Sequence, residues 1–134
     1  MAKSDCKAST EVAYKKALFR DLKEVTNHLS FYSVRMNGQR IETSDWAPGC
    51  TGRYGEDCAI GRMYADEYLE YLDSEDEVTD HEHLLGEIVE GMIEAAEQDK
   101  DREKGLRIGF FARISEEIIA WKRASQPERV NDHG

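Results

Sequence analysis

The chain has 134 residues, with 28 acidic side chains against 18 basic ones and a formal net charge of −10. At 40% hydrophobic and 34% charged, its composition is that of a globular protein and excludes a disordered chain. No apolar run reaches the roughly 18 residues of a membrane span, and three cysteines do not make a secreted disulfide framework.

The length predicts one domain, over 1–126, with a polar tail over 127–134. The N-terminal residues lack the apolar core of a signal peptide, so the expected location is cytoplasmic. Ser9 or Thr10 is the predicted cap of a first helix, with Glu11 near its positive end. Tyr14, Leu18, Leu22, Val25 and Leu29 form its apolar stripe. Phe31–Arg35 and Arg40–Thr43 are β-prone runs around Met36-Asn37-Gly38-Gln39. Asn-Gly there predicts a hairpin in which both turn residues take φ > 0.

From Ser44 to Met63 glycine and proline are dense and helical periodicity is absent, which predicts a structured loop. Pro48 fixes its own φ, while Gly49, Gly52 and Gly55 are free to take positive values. A second helix is expected from near Asp57, with Ile60, Tyr64, Tyr68, Tyr71 and Leu72 on one side. Thr79-Asp80-His81-Glu82 reads as a capping box for a third helix, whose apolar side carries Leu84, Ile88, Met92 and Ile93. Gly105 reads as a break before a final helix over Leu106–Ser125, in which Phe111, Ile114, Ile118 and Trp121 recur at 3-4-3 spacing. The fold class predicted is α+β: about four helices, one hairpin and a glycine-rich loop.

The loop holds the residues closest to chemistry: Trp46, Cys50, Arg53, Cys58 and Arg62. Cys58, expected in the first turn of the second helix, is placed where a helix N-terminus lowers a thiol pKa. No histidine completes a recognisable catalytic set, and a small buried cysteine is the plainer reading. Zinc uses closer ligand pairs than Cys50 and Cys58, and His81 and His83 point about 200° apart on a helix. No metal and no cofactor is expected. Gly49, Gly52 and Gly55 lack the lysine and hydroxyl of a phosphate loop, although Arg53 and Arg62 could meet an anion at the helix start.

Charge separates the two halves of the chain. Residues 1–67 hold ten bases and ten acids, whereas residues 68–134 hold eight bases and eighteen acids. Between 66 and 103 sixteen acids stand against two bases. Such a field repels nucleic acid and attracts cationic partners. Glu70, Asp73, Glu75, Asp76, Glu77, Asp80, Glu82, Glu87, Glu90 and Glu94 are therefore the expected contacts to a basic protein.

Trp46-x-x-Gly49 followed by Gly55-x-x-Cys58-Ala59-Ile60-Gly61-Arg62 resembles the Trp/Gly and Cys-Ala-aliphatic-Gly core of small phage and bacterial domains. The resemblance covers about seventeen residues, implies a mobile-element setting and brings no catalytic residue with it. The leading expectation is a small acidic non-enzymatic module that binds a basic protein, with inhibition of a host protein as its sharper form. The alternatives are a small-ligand or cysteine-dependent catalytic domain using residues 46–62, and a structural homodimer seamed by the final helix.

Overall fold

A computed structural model of the chain describes the backbone of residues 2–74 and 81–126, and the side chains in those ranges except for residues 2–9 and 81. The order is α1 (Ala2–Thr26), β1 (Ser33–Asn37), β2 (Arg40–Ser44), α2 (Tyr54–Ser74), α3 (His81–Gln98) and α4 (Lys104–Ala124). This is the mainly helical α+β fold that the periodicity predicts. The described residues divide into two compact units, one from 1–49 with 75–94 and one from 50–74 with 95–134.

In the first unit α1 starts at Ala2, well before the expected cap at Ser9 or Thr10. Ala2, Lys3, Lys7 and Ala8 are strong helix formers, so the helix runs through the two hydroxyl residues rather than starting at them. Its apolar stripe is buried only toward its C-terminal end: Tyr14 is 68% exposed, whereas Leu29, just past the helix, is fully buried.

The hairpin pairs Ser33 with Ser44 and Asn37 with Arg40, leaving Gly38 and Gln39 as its turn. Gly38 has φ +64°, and no described non-glycine residue has a positive φ. The turn is thus shifted one residue from the Asn-Gly expected, with glycine at its first central position, as in a type II′ turn. Asn37 takes a different part. Its Nδ2 donates to Glu42 Oε1 at 3.0 Å while Arg35 Nε donates to Glu42 Oε2 at 2.7 Å. These contacts fix the register across the strands.

Leu29, Phe31, Trp46, Ile88 and Met92 form the core of this unit. The Phe31 and Trp46 rings lie 5.4 Å apart, and the Ala47 amide donates to the Phe31 carbonyl at 2.6 Å. Gly91 brings α3 directly onto this segment, since a Cβ there would stand 2.7 Å from the Trp46 Cβ.

In the second unit α2 begins at Tyr54, three residues earlier than expected, so half of the predicted loop is helical. Gly52 alone of the three loop glycines takes a positive φ, +82°, and it turns the chain into the helix. The buried side of α2 is Asp57, Gly61, Tyr64, Ala65 and Tyr68, at the i, i+4, i+7, i+8, i+11 spacing of one helical face.

That face meets α4. Gly105 lies against the Tyr54 carbonyl and the Asp57 Cβ, Gly109 against the Cys58 carbonyl, and Gly61 against the Leu106 carbonyl. The first turns lie side by side, and farther along Asp66 of α2 meets Arg113 of α4, so the two helices run in the same sense. Gly105 is not the expected break but the first of two glycines, four apart, that let the backbones touch. Leu106, Phe110 and Ile114 are buried beside them, and Tyr68 packs on Phe110 at 6.1 Å between ring centroids.

Candidate functional site

The acids proposed as partner contacts are divided between the units. Glu70 and Asp73 are exposed near the C-terminal end of α2, and Glu82, Glu87, Glu90 and Glu94 are exposed on α3. Glu75, Asp76, Glu77 and Asp80, with the capping-box residue Thr79, lie outside the described residues.

On α3 the spacing decides the geometry. Glu87, Glu90 and Glu94 fall within about 60° of one another around the helix, away from the buried Ile88 and Met92. Asp45, half-buried, lies close to Glu87. Burial pushes its carboxyl pKa up, and the nearby Glu87 charge adds to the rise.

Several acids elsewhere are neutralised. Glu42 meets Arg35 and Glu56 meets Arg53. Arg113 Nε donates to Asp66 Oδ1 at 2.6 Å and its Nη1 to Glu117 Oε2 at 2.9 Å. Arg62 Nη2 reaches both Glu116 oxygens at 2.8 and 2.7 Å. No described basic side chain forms an ion pair with Glu87, Glu90 or Glu94.

The loop candidates prove to be largely occupied by their own surroundings. Trp46 is 5% exposed in the first unit's core. Arg53 is held by Glu56 and Arg62 by Glu116, so neither cation waits for an anion at the α2 start. Cys58 sits five residues into α2 rather than in its first turn, beyond the positive end of the helix. It lies near Tyr54, and a hydrogen bond between the two leads the causes that raise the Tyr54 pKa.

Cys50 has the more interesting neighbour. Arg102 makes a hydrogen bond with it, and this contact is the first cause holding the Arg102 guanidinium above its ordinary pKa. The sequence signal for Arg102 was hidden in a charged connection, more than fifty positions away from the cysteine. Among the described residues no group of three or more His, Cys, Asp or Glu could hold a metal ion.

One residue that the sequence reading passes over governs the loop. Asp57 is 2% exposed, and its Oδ1 accepts from the Thr51 amide and the Thr51 Oγ1, each at 2.8 Å. Its Oδ2 accepts from the Gly52 amide at 3.2 Å. The Thr51 amide bond is the main cause of a lowered Asp57 pKa, which burial opposes and the other two bonds reinforce. A Thr-Gly pair followed by a helix-facing aspartate was the available signal.

No protein-family model, curated protein or solved structure matches the chain. Function therefore rests on the surfaces just described. The described residues also form an apolar groove of about 620 Å³ where Tyr14 and Leu18 of α1 meet Ile41 of β2, away from every candidate the sequence named. No described helix is long and apolar enough to cross a membrane.

Proposed function

We propose that the chain is a small protein-binding module that captures a basic partner through the acidic stripe of α3. The observation carrying this reading is that Glu87, Glu90 and Glu94 stand together with no ion pair among the described residues, while Glu42, Asp66, Glu116 and Glu117 are each paired with an arginine. Like charges at i, i+3 and i, i+4 cost a helix roughly 0.2–0.5 kcal/mol per pair. A cationic ligand would remove that cost, and the uncompensated field would raise its rate of encounter. Inhibition of a host protein that binds nucleic acid is the sharper form of the proposal, because a row of carboxylates offers such a protein a phosphate-like surface.

The test compares wild-type protein with Glu87→Lys/Glu90→Lys/Glu94→Lys in capture from host lysate at low and high salt, with identification of what is retained. A basic protein held by the wild type at low salt, released at high salt and lost by the triple variant is the expected result. Equal capture by the variant would remove α3 from the interaction.

A further inference from the structure

Beside α1 the hairpin leaves apolar surface uncovered. Met36 of β1 and Ile41 of β2 are cross-strand partners, so they lie on the same face of the sheet. α1 packs on that face, and a cleft opens on either side of the contact. The first, of about 620 Å³, lies between Tyr14, Leu18 and Ile41. The second, of about 440 Å³, lies between Val12, Phe19 and Met36. Glu11, Lys15 and Gln39 border both. The helix accounts for the division: at about 100° per residue, Tyr14 and Leu18 fall to one side of Lys15, and Val12 and Phe19 to the other.

Charge tells the two clefts apart. Lys16 borders only the second, on whose side of Lys15 it falls, whereas Glu11 falls on the side of the first. Neither lysine forms an ion pair among the described residues. Arg40 borders the first cleft, yet strand alternation puts its side chain on the Glu42 face of the hairpin, away from Ile41. There its charge helps to hold the Glu42 pKa down. The second cleft is therefore the one that combines apolar walls with two unpaired cations at an edge. Its volume is that of a small-molecule site, for which about 300–1,000 Å³ is usual. Lys15 and Lys16 against Glu11 leave that edge with one positive charge in excess, which a single carboxylate balances.

We propose that the second cleft binds a small amphipathic carboxylate of the fatty-acid type, its head group between Lys15 and Lys16 and its chain between Phe19 and Met36. The ammonium groups donate to the carboxylate oxygens, and the chain covers the exposed parts of Val12 and Met36, which are 49% and 43% accessible. The α3 stripe shares no residue with this site.

Octanoate is the probe, and octanol, with the same chain length and no charge, is its control. Titration of the full chain, followed by amide NMR shifts, should move signals in Val12–Phe19 and Met36–Gln39. Octanoate should bind roughly tenfold more tightly than octanol, as charge-assisted hydrogen bonds require. Lys15→Met/Lys16→Met, which keeps apolar stems in place, should bring octanoate down to the affinity of octanol. Met36→Thr should weaken both ligands alike, and Tyr14→Ser, in the first cleft, should weaken neither. Circular dichroism should stay that of the wild type in all three variants. No saturable binding of octanoate to the wild type would overturn the proposal. So would equal affinity for octanoate and octanol, or shifts confined to residues outside the second cleft. Binding to phosphatidylglycerol vesicles with none to free octanoate would assign the lysines to a bilayer surface and equally overturn it.

Discussion

The contact between α2 and α4 is the most exacting feature of the second unit, and Gly109→Ala tests it. A Cβ at Gly109 would stand 2.7 Å from the Cys58 carbonyl carbon and 2.8 Å from the Cys58 Cα, with the carbonyl oxygen nearer still. Carbon atoms settle at about 3.5–4.0 Å, so the helices must part by roughly 1 Å to admit the methyl. Two effects oppose each other. Alanine improves helix propensity by about 1 kcal/mol over glycine. Overpacking against backbone, which cannot swing aside as a side chain can, belongs at the upper end of the usual ~1–3 kcal/mol or above it. Separation also loosens the buried Leu106, Phe110 and Tyr68. The expected net loss is about 2 kcal/mol, which at ordinary urea sensitivity lowers the unfolding midpoint by about 1 M. Gly86→Ala on α3 is the control. A Cβ there meets nothing within 4 Å, so the propensity gain stands alone and the variant should be more stable by up to about 1 kcal/mol. Urea unfolding followed by circular dichroism measures both. A Gly109→Ala protein as stable as the wild type would refute the close approach of the two backbones.

Two further expectations follow from one side chain. Asp57→Ala removes a buried carboxylate that accepts from Thr51 and Gly52, which are themselves exposed, and should cost about 1.5–3 kcal/mol, read as a drop in thermal midpoint. Because the folded Asp57 pKa is depressed, the stability it contributes is fully present above the ordinary aspartate range near pH 4. It is lost as pH falls through the lower folded value, so the stability gap between the wild type and Asp57→Asn should be constant above about pH 4 and narrow below it.

The helices and hairpin were legible because they rest on local rules: 3.6-residue periodicity and a glycine at a tight turn. What the sequence left hidden depends on partners distant along the chain. Gly105 reads as a helix breaker until α2 is seen against it, and the α2 start depends on an Asp57 carboxylate reaching back to Thr51. The paired state of Arg53 and Arg62 was equally invisible, since Glu116 lies more than fifty residues from Arg62. Net charge marked the acidic region, but not which of its acids lack an ion pair among the described residues. Only the folded arrangement separates Glu87, Glu90 and Glu94 from Asp66, Glu116 and Glu117. The apolar stripe of α4 looked like core throughout its length, and the periodicity gave no sign that its covering ends near Ile114.

The interleaving of the two units along the chain also sets an order for birth on the ribosome. Leu29, Phe31 and Trp46 are synthesised early, yet the Ile88 and Met92 that share their core come only after all of α2 has been made. Nascent chains therefore expose the Phe31–Trp46 pair for the whole of that interval. Any N-terminal fragment ending before α3 would display it permanently, an open invitation to holdase chaperones and proteases. The second unit faces no such wait once α4 is complete, because everything it needs lies between Cys50 and the chain's end.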